Sequence, residues 1–134
     1  MNKKILIVHT SWYDEYVSKM LSISKEVLKD FDCTNAVAPG ALELAALAGH
    51  KIQDSSFIGI LFLGIVVRGQ TSHYDLVTKE TFRSISNLSM DNCKLALINN
   101  VICVENMDQL EARLVKNTTN NAKALIQLIH EKSS

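Results

Sequence analysis

The sequence predicts an α/β fold in three layers: a parallel sheet of about four strands with helices on both faces, joined by right-handed crossovers. Two observations carry that expectation. Strand-like and helix-like patterns alternate along the whole chain, with no repeat, low-complexity tract or linker between them. The longest apolar run, Phe57 to Val67, is apolar at nearly every position, the pattern of a strand covered on both faces. The sole proline, Pro39, interrupts no long segment.

Ile5 to His9 reads as a short buried strand. Asp14 to Phe31 reads as a helix, with Val17, Met20, Leu21, Val27, Leu28 and Phe31 on one stripe. Cys33 to Ala38 is a weaker strand closed by Pro39-Gly40, and Leu42 to Gly49 a short helix. Ser56 to Val67 is the strongest strand. Tyr74 to Leu88 is a helix with Val77, Thr81, Ile85 and Leu88 inward. Lys94 to Ile102 is a fourth strand. Met107 to Val115 and Asn121 to His130 are the last helices, the final one with Ala122, Leu125, Ile126 and Ile129 on its inner face. Ligands of such sheets gather at the carboxyl ends of the strands. Four turns, His9 to Tyr13, Pro39 to Glu43, Arg68 to His73 and Asn99 to Asn106, each follow a strand and are expected to converge there.

The 134 residues suffice for one domain, 1–134, with one sizeable core. Apolar residues at 47% and charged residues at 21% are ordinary for a soluble globular protein. Fourteen basic and fourteen acidic side chains cancel without a basic cluster, which argues against a nucleic-acid partner. The 11-residue run Phe57 to Val67 is too short to cross a bilayer as a helix, so no membrane is expected. The start, Met1 to Val8, has the outward look of a signal peptide, but His9, Ser11, Asp14 and Glu15 cut its apolar segment short. Cys33, Cys93 and Cys103 are odd in number and lack metal-ligand or redox spacing, as expected of reduced thiols in a cytoplasmic protein.

The stretch Leu63 to Asp75 delivers two chemical tools to one point. The backbone N–H groups of Gln70 and Thr71 lie just ahead of a helix start, where an anion is favoured. His73 beside them exchanges protons near neutral pH. A phosphate seat next to a proton donor implies chemistry on a small phosphorylated substrate. Ser72 with Asp75 three positions on resembles a capping box, which accounts for that pair but not for His73. Arg68 ends the apolar strand and reads first as the partner of a carboxylate, second as a phosphate ligand. Arg113, on a short helix with Gln109 and Glu111, reads by itself as a solvated surface residue, although its planar fork suits phosphate. In Pro39-Gly40-Ala41-Leu42-Glu43, free backbone N–H groups and a carboxylate suit a polyol; the same Glu43 is also simply favoured in a first helical turn. Trp12, the only tryptophan, either packs or stacks on a planar ligand at the sheet's carboxyl edge. There is no dinucleotide fingerprint and no phosphate loop ending in Gly-Lys-Ser/Thr, so nucleotide cofactors are not expected.

Three segments resemble the lumazine synthase family: Pro39 to Glu43, Gly64 to Asp75, and Glu105 to Arg113. The resemblance covers almost the whole chain in the right order. It implies a flavodoxin-like four-stranded parallel sheet flanked by helices, pentameric subunits that in some members assemble into sixty-subunit shells, and an active site between neighbouring subunits. It implies condensation of 5-amino-6-(D-ribitylamino)uracil with 3,4-dihydroxy-2-butanone 4-phosphate to 6,7-dimethyl-8-ribityllumazine, with no cofactor and no metal. By the same resemblance, Trp12 stacks on the pyrimidine and Ala41, Leu42 and Glu43 bind the ribityl chain. Ile65, Val66 and Val67 hold the ring, and Gln70 and Thr71 seat the phosphate. Arg113 reaches that phosphate from the adjacent subunit, and His73 is the acid–base residue.

The chain departs from the family pattern in four places. Asn99-Asn100 stand where Phe-Gly is usual, making a wall of the pyrimidine pocket polar and Asn99 a substrate-facing candidate. Asn120-Asn121-Ala122 replaces a common Asn-Lys-Gly, removing a cation. Gln70 stands where relatives often carry alanine or an acidic residue. The chain begins almost at its first strand, where many relatives carry an arm that pairs with a neighbour; this weighs against a shell more than against a pentamer. Two other functions compete with catalysis: a non-catalytic lumazine or flavin carrier, and an assembly-forming relative. The Asn99-Asn100 substitution is the feature that favours the carrier, whereas a scaffold requires neither His73 nor Arg113.

Overall fold

The computed structural model describes residues 2–53, 56–69 and 73–133. Strand β1 spans Lys4–Thr10, helix α1 Asp14–Val27 and strand β2 Asp32–Ala38. A single 3-10 turn, Ala41–Glu43, runs into α2, Leu44–Lys51. Then come β3 (Gly59–Val67), α3 (Tyr74–Asp91), β4 (Ala96–Val104) and α4 (Met107–Ser133). The strands form one parallel sheet in the order β2-β1-β3-β4. The α/β expectation of four parallel strands between two helical layers therefore holds.

All nine residues of β3 are buried, because the strand lies inside the sheet and both its faces are covered. Leu61, Leu63, Ile65 and Val67 point to one face. There they meet Val17 and Met20 of α1 and Leu110, Leu114 and Leu125 of α4. Ile60, Phe62 and Val66 point to the other, where Leu44, Ala45 and Ala48 of α2 and Ile85 of α3 lie. Each large side chain taken out of water in this way stabilises the fold by about 1.5–3 kcal/mol. The predicted inward stripe of α3 is present, with Thr81 and Ile85 fully buried and Val77 and Leu88 packed against the second cluster.

Element ends shift by a few residues along the chain, and four differences from expectation bear on the site. Helix α1 stops at Val27 rather than Phe31; Phe31 N–H then bonds Leu28 O in a turn, and Asp32 N–H joins Lys3 O to start β2. The two helices expected over 107–115 and 121–130 are one 27-residue helix. The polar stretch between them, 116–120, contains neither proline nor glycine. Thr118 is fully buried, and its hydroxyl accepts from Asn100 Nδ2 at 3.0 Å. Asn121 Nδ2 donates to Asn100 Oδ1 at 2.7 Å. Tertiary hydrogen bonds thus override a weak local helix preference. Strand β4 runs Ala96–Val104 rather than Lys94 to Ile102. Asn99 and Asn100 lie inside the strand, paired in register with Phe62 and Leu63, and do not open the turn expected over 99–106. Finally, α3 begins at Tyr74 with His73 as its N-cap, so Asp75 falls one position short of the capping-box site; Ser72 lies outside the described residues.

Candidate active site

The strand order places a crossover between β1 and β3, and a sheet of this kind opens a crevice there, at the carboxyl ends. The register gives that crevice its shape. His9 pairs with Leu63, so Ile65, Val66 and Val67 run past the end of β1 at Thr10 and stand as a wall. A cleft of about 400 Å³ lies against this wall. Thr10, Trp12 and Tyr13 line it after β1, Gly40 to Glu43 after β2, and Val77 from the first turns of α3. Of the residues singled out from sequence, Trp12, Ala41, Leu42, Glu43, Ile65, Val66 and Val67 meet in this cleft.

Trp12 is 66% exposed, unusual for so large an apolar side chain, and its indole is nevertheless fixed: Nε1–H donates to Pro39 O at 3.0 Å. That bond ties the turn after β1 to the turn after β2. Glu43 closes the 3-10 turn by donating its N–H to Gly40 O at 3.2 Å. Its carboxylate folds back over Gly40, where a Cβ would lie only 3.0 Å from Glu43 Oε1. The glycine in the Pro-Gly-Ala-x-Glu pattern leaves room for that carboxylate. Glu43 is exposed at the cleft, and its carboxylate is an acceptor for hydroxyl groups.

Among the described residues, two non-glycine ones hold left-handed backbone, Tyr13 at φ 58° and His73 at φ 67°, and both cap helices on this edge. Such conformations are uncommon for non-glycine residues and concentrate at functional sites. Tyr13 O accepts from the N–H groups of Tyr16 and Val17 at 2.9 and 3.0 Å. Burial pushes the Tyr13 phenol above its ordinary value. Thr10 Oγ1 is buried without a hydrogen-bond partner among the described residues. Thr10, Tyr13 and Val77 had no site role from sequence, although the turn His9 to Tyr13 was expected at this edge and Val77 was expected on the inner face of its helix.

His73 is exposed and outside the cleft lining, four residues before Val77, which lines it. Residues so spaced share a helix flank. Gln70 and Thr71, the expected anion seat, lie outside the described residues. Asn99 and Arg113 do not border this cleft. Asn99 sits mid-strand in β4 and uses Oδ1 to accept Val101 N–H at 2.8 Å. Arg113 is exposed on α4 with no ion pair among the described residues. Arg68 takes the carboxylate role: it pairs with Glu105 and Asp75. Hydrogen bonds to those two groups, Glu105 first, raise its already high pKa. In the Glu105 to Gln109 pattern, Asn106 caps α4 by accepting Gln109 N–H at 2.9 Å, and Gln109 Oε1 returns to Glu105 N–H at 2.7 Å.

The family model for 6,7-dimethyl-8-ribityllumazine synthase matches residues 2–133. A protein of that name from Rhizobium meliloti (6,7-dimethyl-8-ribityllumazine synthase 1) is 36% identical over 116 residues, 81% of this chain and 75% of that one. Its namesake from Agrobacterium fabrum is 33% identical over 117 residues, covering 82% and 78%. That from Methylobacillus flagellatus is 33% identical over 101 residues, covering 75% and 67%. With the family model matched over residues 2–133 and these relatives above 30% identity over at least three quarters of the chain, the chain belongs to the 6,7-dimethyl-8-ribityllumazine synthase family.

Proposed function

We propose that this protein, as one catalytic domain over 1–134, condenses 5-amino-6-(D-ribitylamino)uracil with 3,4-dihydroxy-2-butanone 4-phosphate to give 6,7-dimethyl-8-ribityllumazine in riboflavin biosynthesis. The observation that carries the reading is the cleft itself: an exposed, hydrogen-bonded indole on one side, an apolar strand wall on another, and a carboxylate on the third. That arrangement suits a planar ring bearing a polyol. Trp12 stacks on the pyrimidine against Ile65, Val66 and Val67, while Ala41, Leu42 and Glu43 take the ribityl hydroxyls. Gln70 and Thr71 hold the phosphate of the second substrate.

The pyrimidine amine attacks the butanone carbonyl, water leaves and an imine forms. Phosphate is then eliminated, and the ring closes with loss of a second water. His73 carries the protons of these steps. Holding two substrates together contributes up to about 7–11 kcal/mol in favourable cases. Histidine proton transfer adds roughly 10²–10⁴-fold, so His73→Ala slows turnover by that order.

Asn99 and Arg113 serve the site of an adjacent protomer in a homopentamer, working in the cytoplasm. Their distance from their own chain's cleft supports this: Asn99 stands level with Phe62, and the wall begins at Ile65. The test uses purified protein of measured solution mass and follows product absorbance. Turnover is expected; its absence in folded, oligomeric protein rejects the reading. Subunits carrying His73→Ala and Arg113→Ala, each inactive alone, are then unfolded, mixed and refolded together. If each site draws on two neighbours, about one quarter of wild-type activity returns in a random 1:1 mixture. No recovery in a mixed oligomer rejects the shared site.

A further inference from the structure

We propose that Arg68 is a positioning residue for His73, acting as a clamp across both ends of the turn that carries the histidine. The proposal rests on the acid–base role given to His73 above. Arg68 Nε donates to both carboxylate oxygens of Glu105, at 2.9 and 2.8 Å, and Nη2 donates to Asp75 Oδ1 at 3.2 Å. The guanidinium also lies over the Tyr74 ring, 4.3 Å from its centre. Its backbone N–H joins Val104 O at 2.9 Å. One side chain thus connects the residue after β3, the first turn of α3 and the residue after β4. The anchor is itself fixed, because Glu105 N–H is taken by Gln109 in the cap of α4.

The backbone at His73 and Gly69, beside these anchors, needs holding. His73 keeps φ 67° and ψ 38°, and Gly69 keeps φ 84°. A non-glycine residue stays in that region only when its surroundings over-determine it. The helical bond from Val77 N–H to His73 O restrains one side. The clamp restrains Tyr74 and Asp75 immediately after the histidine and Arg68 before the turn.

The same geometry removes the other role open to Arg68, that of phosphate ligand. Two carboxylates already occupy Nε and Nη2 and cancel the charge, so an incoming phosphate meets anions beside the guanidinium. The network is also exposed: the side chains of Arg68, Asp75 and Glu105 are 46%, 84% and 54% accessible. Ion pairs in water add little to global stability. Removing the clamp should therefore leave the fold intact and act on the placement of His73.

The experiment compares wild type, Arg68→Met, His73→Ala and the Arg68→Met/His73→Ala double variant as intact oligomers. Arg68→Met is expected to lower kcat by roughly 10–100-fold, the order of loss for a misplaced catalytic group, with both KM values and the thermal midpoint retained. The double variant should be no slower than His73→Ala alone. Histidine-selective 13C labelling should show the Cα and Cβ shifts of His73 leaving the left-handed range in Arg68→Met. The proposal is overturned by an unchanged kcat, by Arg68→Met and His73→Ala slowing turnover by independent factors, or by unchanged His73 shifts. If wild type shows no turnover, the catalytic reading fails, and the His73 shifts alone then decide for or against the clamp.

Discussion

Replacing Gly40 with alanine puts a methyl carbon 3.0 Å from Glu43 Oε1, nearer than a carbon and an oxygen normally approach. The backbone does not resist the change. Gly40 has φ −160° and ψ 176°, extended backbone open to any residue. Alanine also restricts the unfolded chain, which stabilises the fold by about 0.4–1 kcal/mol. Against that stands the side chain of Glu43, which must leave its rotamer at a cost of about 0.5–1.5 kcal/mol, or swing to another. The two terms nearly cancel, so the thermal midpoint should stay within a few degrees.

The carboxylate, however, no longer sits where it faces the cleft. If Glu43 binds ribityl hydroxyls, the loss is that of a hydrogen bond to a charged group, about 1.5–3 kcal/mol. That corresponds to a rise of roughly 10–150-fold in KM for the ribityl substrate, at about 1.4 kcal/mol per decade. KM for the butanone phosphate should not move, because Glu43 is assigned to the ribityl chain alone. Steady-state kinetics with each substrate varied in turn, alongside thermal unfolding, reads both numbers. An unaltered KM for the ribityl substrate refutes the placement of Glu43. A large drop in melting temperature refutes the energetic reasoning, since it would mean that Gly40 serves the backbone.

Two further substitutions probe the frame. Asn100→Ala strips partners from Thr118 and Asn121 and should cost about 1–3 kcal/mol, read as a lower urea midpoint; no change would mean that this buried network does not hold α4 to β4. Burial pushes the Cys103 thiol up to about 11, so the folded state holds that proton more tightly than the unfolded chain, whose thiol lies near 9.0. Its contribution is complete below pH 9 and is lost as pH rises toward 11; the fall in urea midpoint across that window should be smaller in Cys103→Ala, and equal slopes in the two proteins would exclude the thiol.

Much of the sheet is legible in sequence because its causes are local. The apolar run ending at Val67 can only be a doubly covered strand, and Pro39-Gly40 can only close one. The turns after β1, β2 and β3 follow from that alternation, and so does the edge on which Trp12, Glu43 and Val67 meet. What escaped has causes distant in the chain. The single helix α4 depends on Asn100, 18 residues before Thr118, and no window over Lys116 to Asn121 reveals it. Arg68 read correctly as a carboxylate partner, but Glu105, 37 residues on, could not be chosen from spacing. The left-handed backbone at Tyr13 and His73 carried no glycine or asparagine to announce it.

Those two strained residues explain how one edge of a rigid sheet can present chemistry at all. A helix that began smoothly after its strand would carry its first side chains away along its axis. A left-handed residue at the N-cap turns the chain sharply, so that the residues before it stay at the strand ends. At Tyr13 this leaves Trp12 over the cleft, with its N–H fixed to Pro39. At His73 it sets the histidine at the head of α3, one turn from Val77, in a conformation uncommon for any residue but glycine. The cost is met differently at the two sites. Tyr13 is half-buried and packed against the core cluster under α1, so burial holds it. His73 is exposed and has no such packing; its fixed neighbours are the surface ion pairs of Arg68. A site held by burial should tolerate salt, whereas one held by exposed ion pairs should loosen as salt screens them.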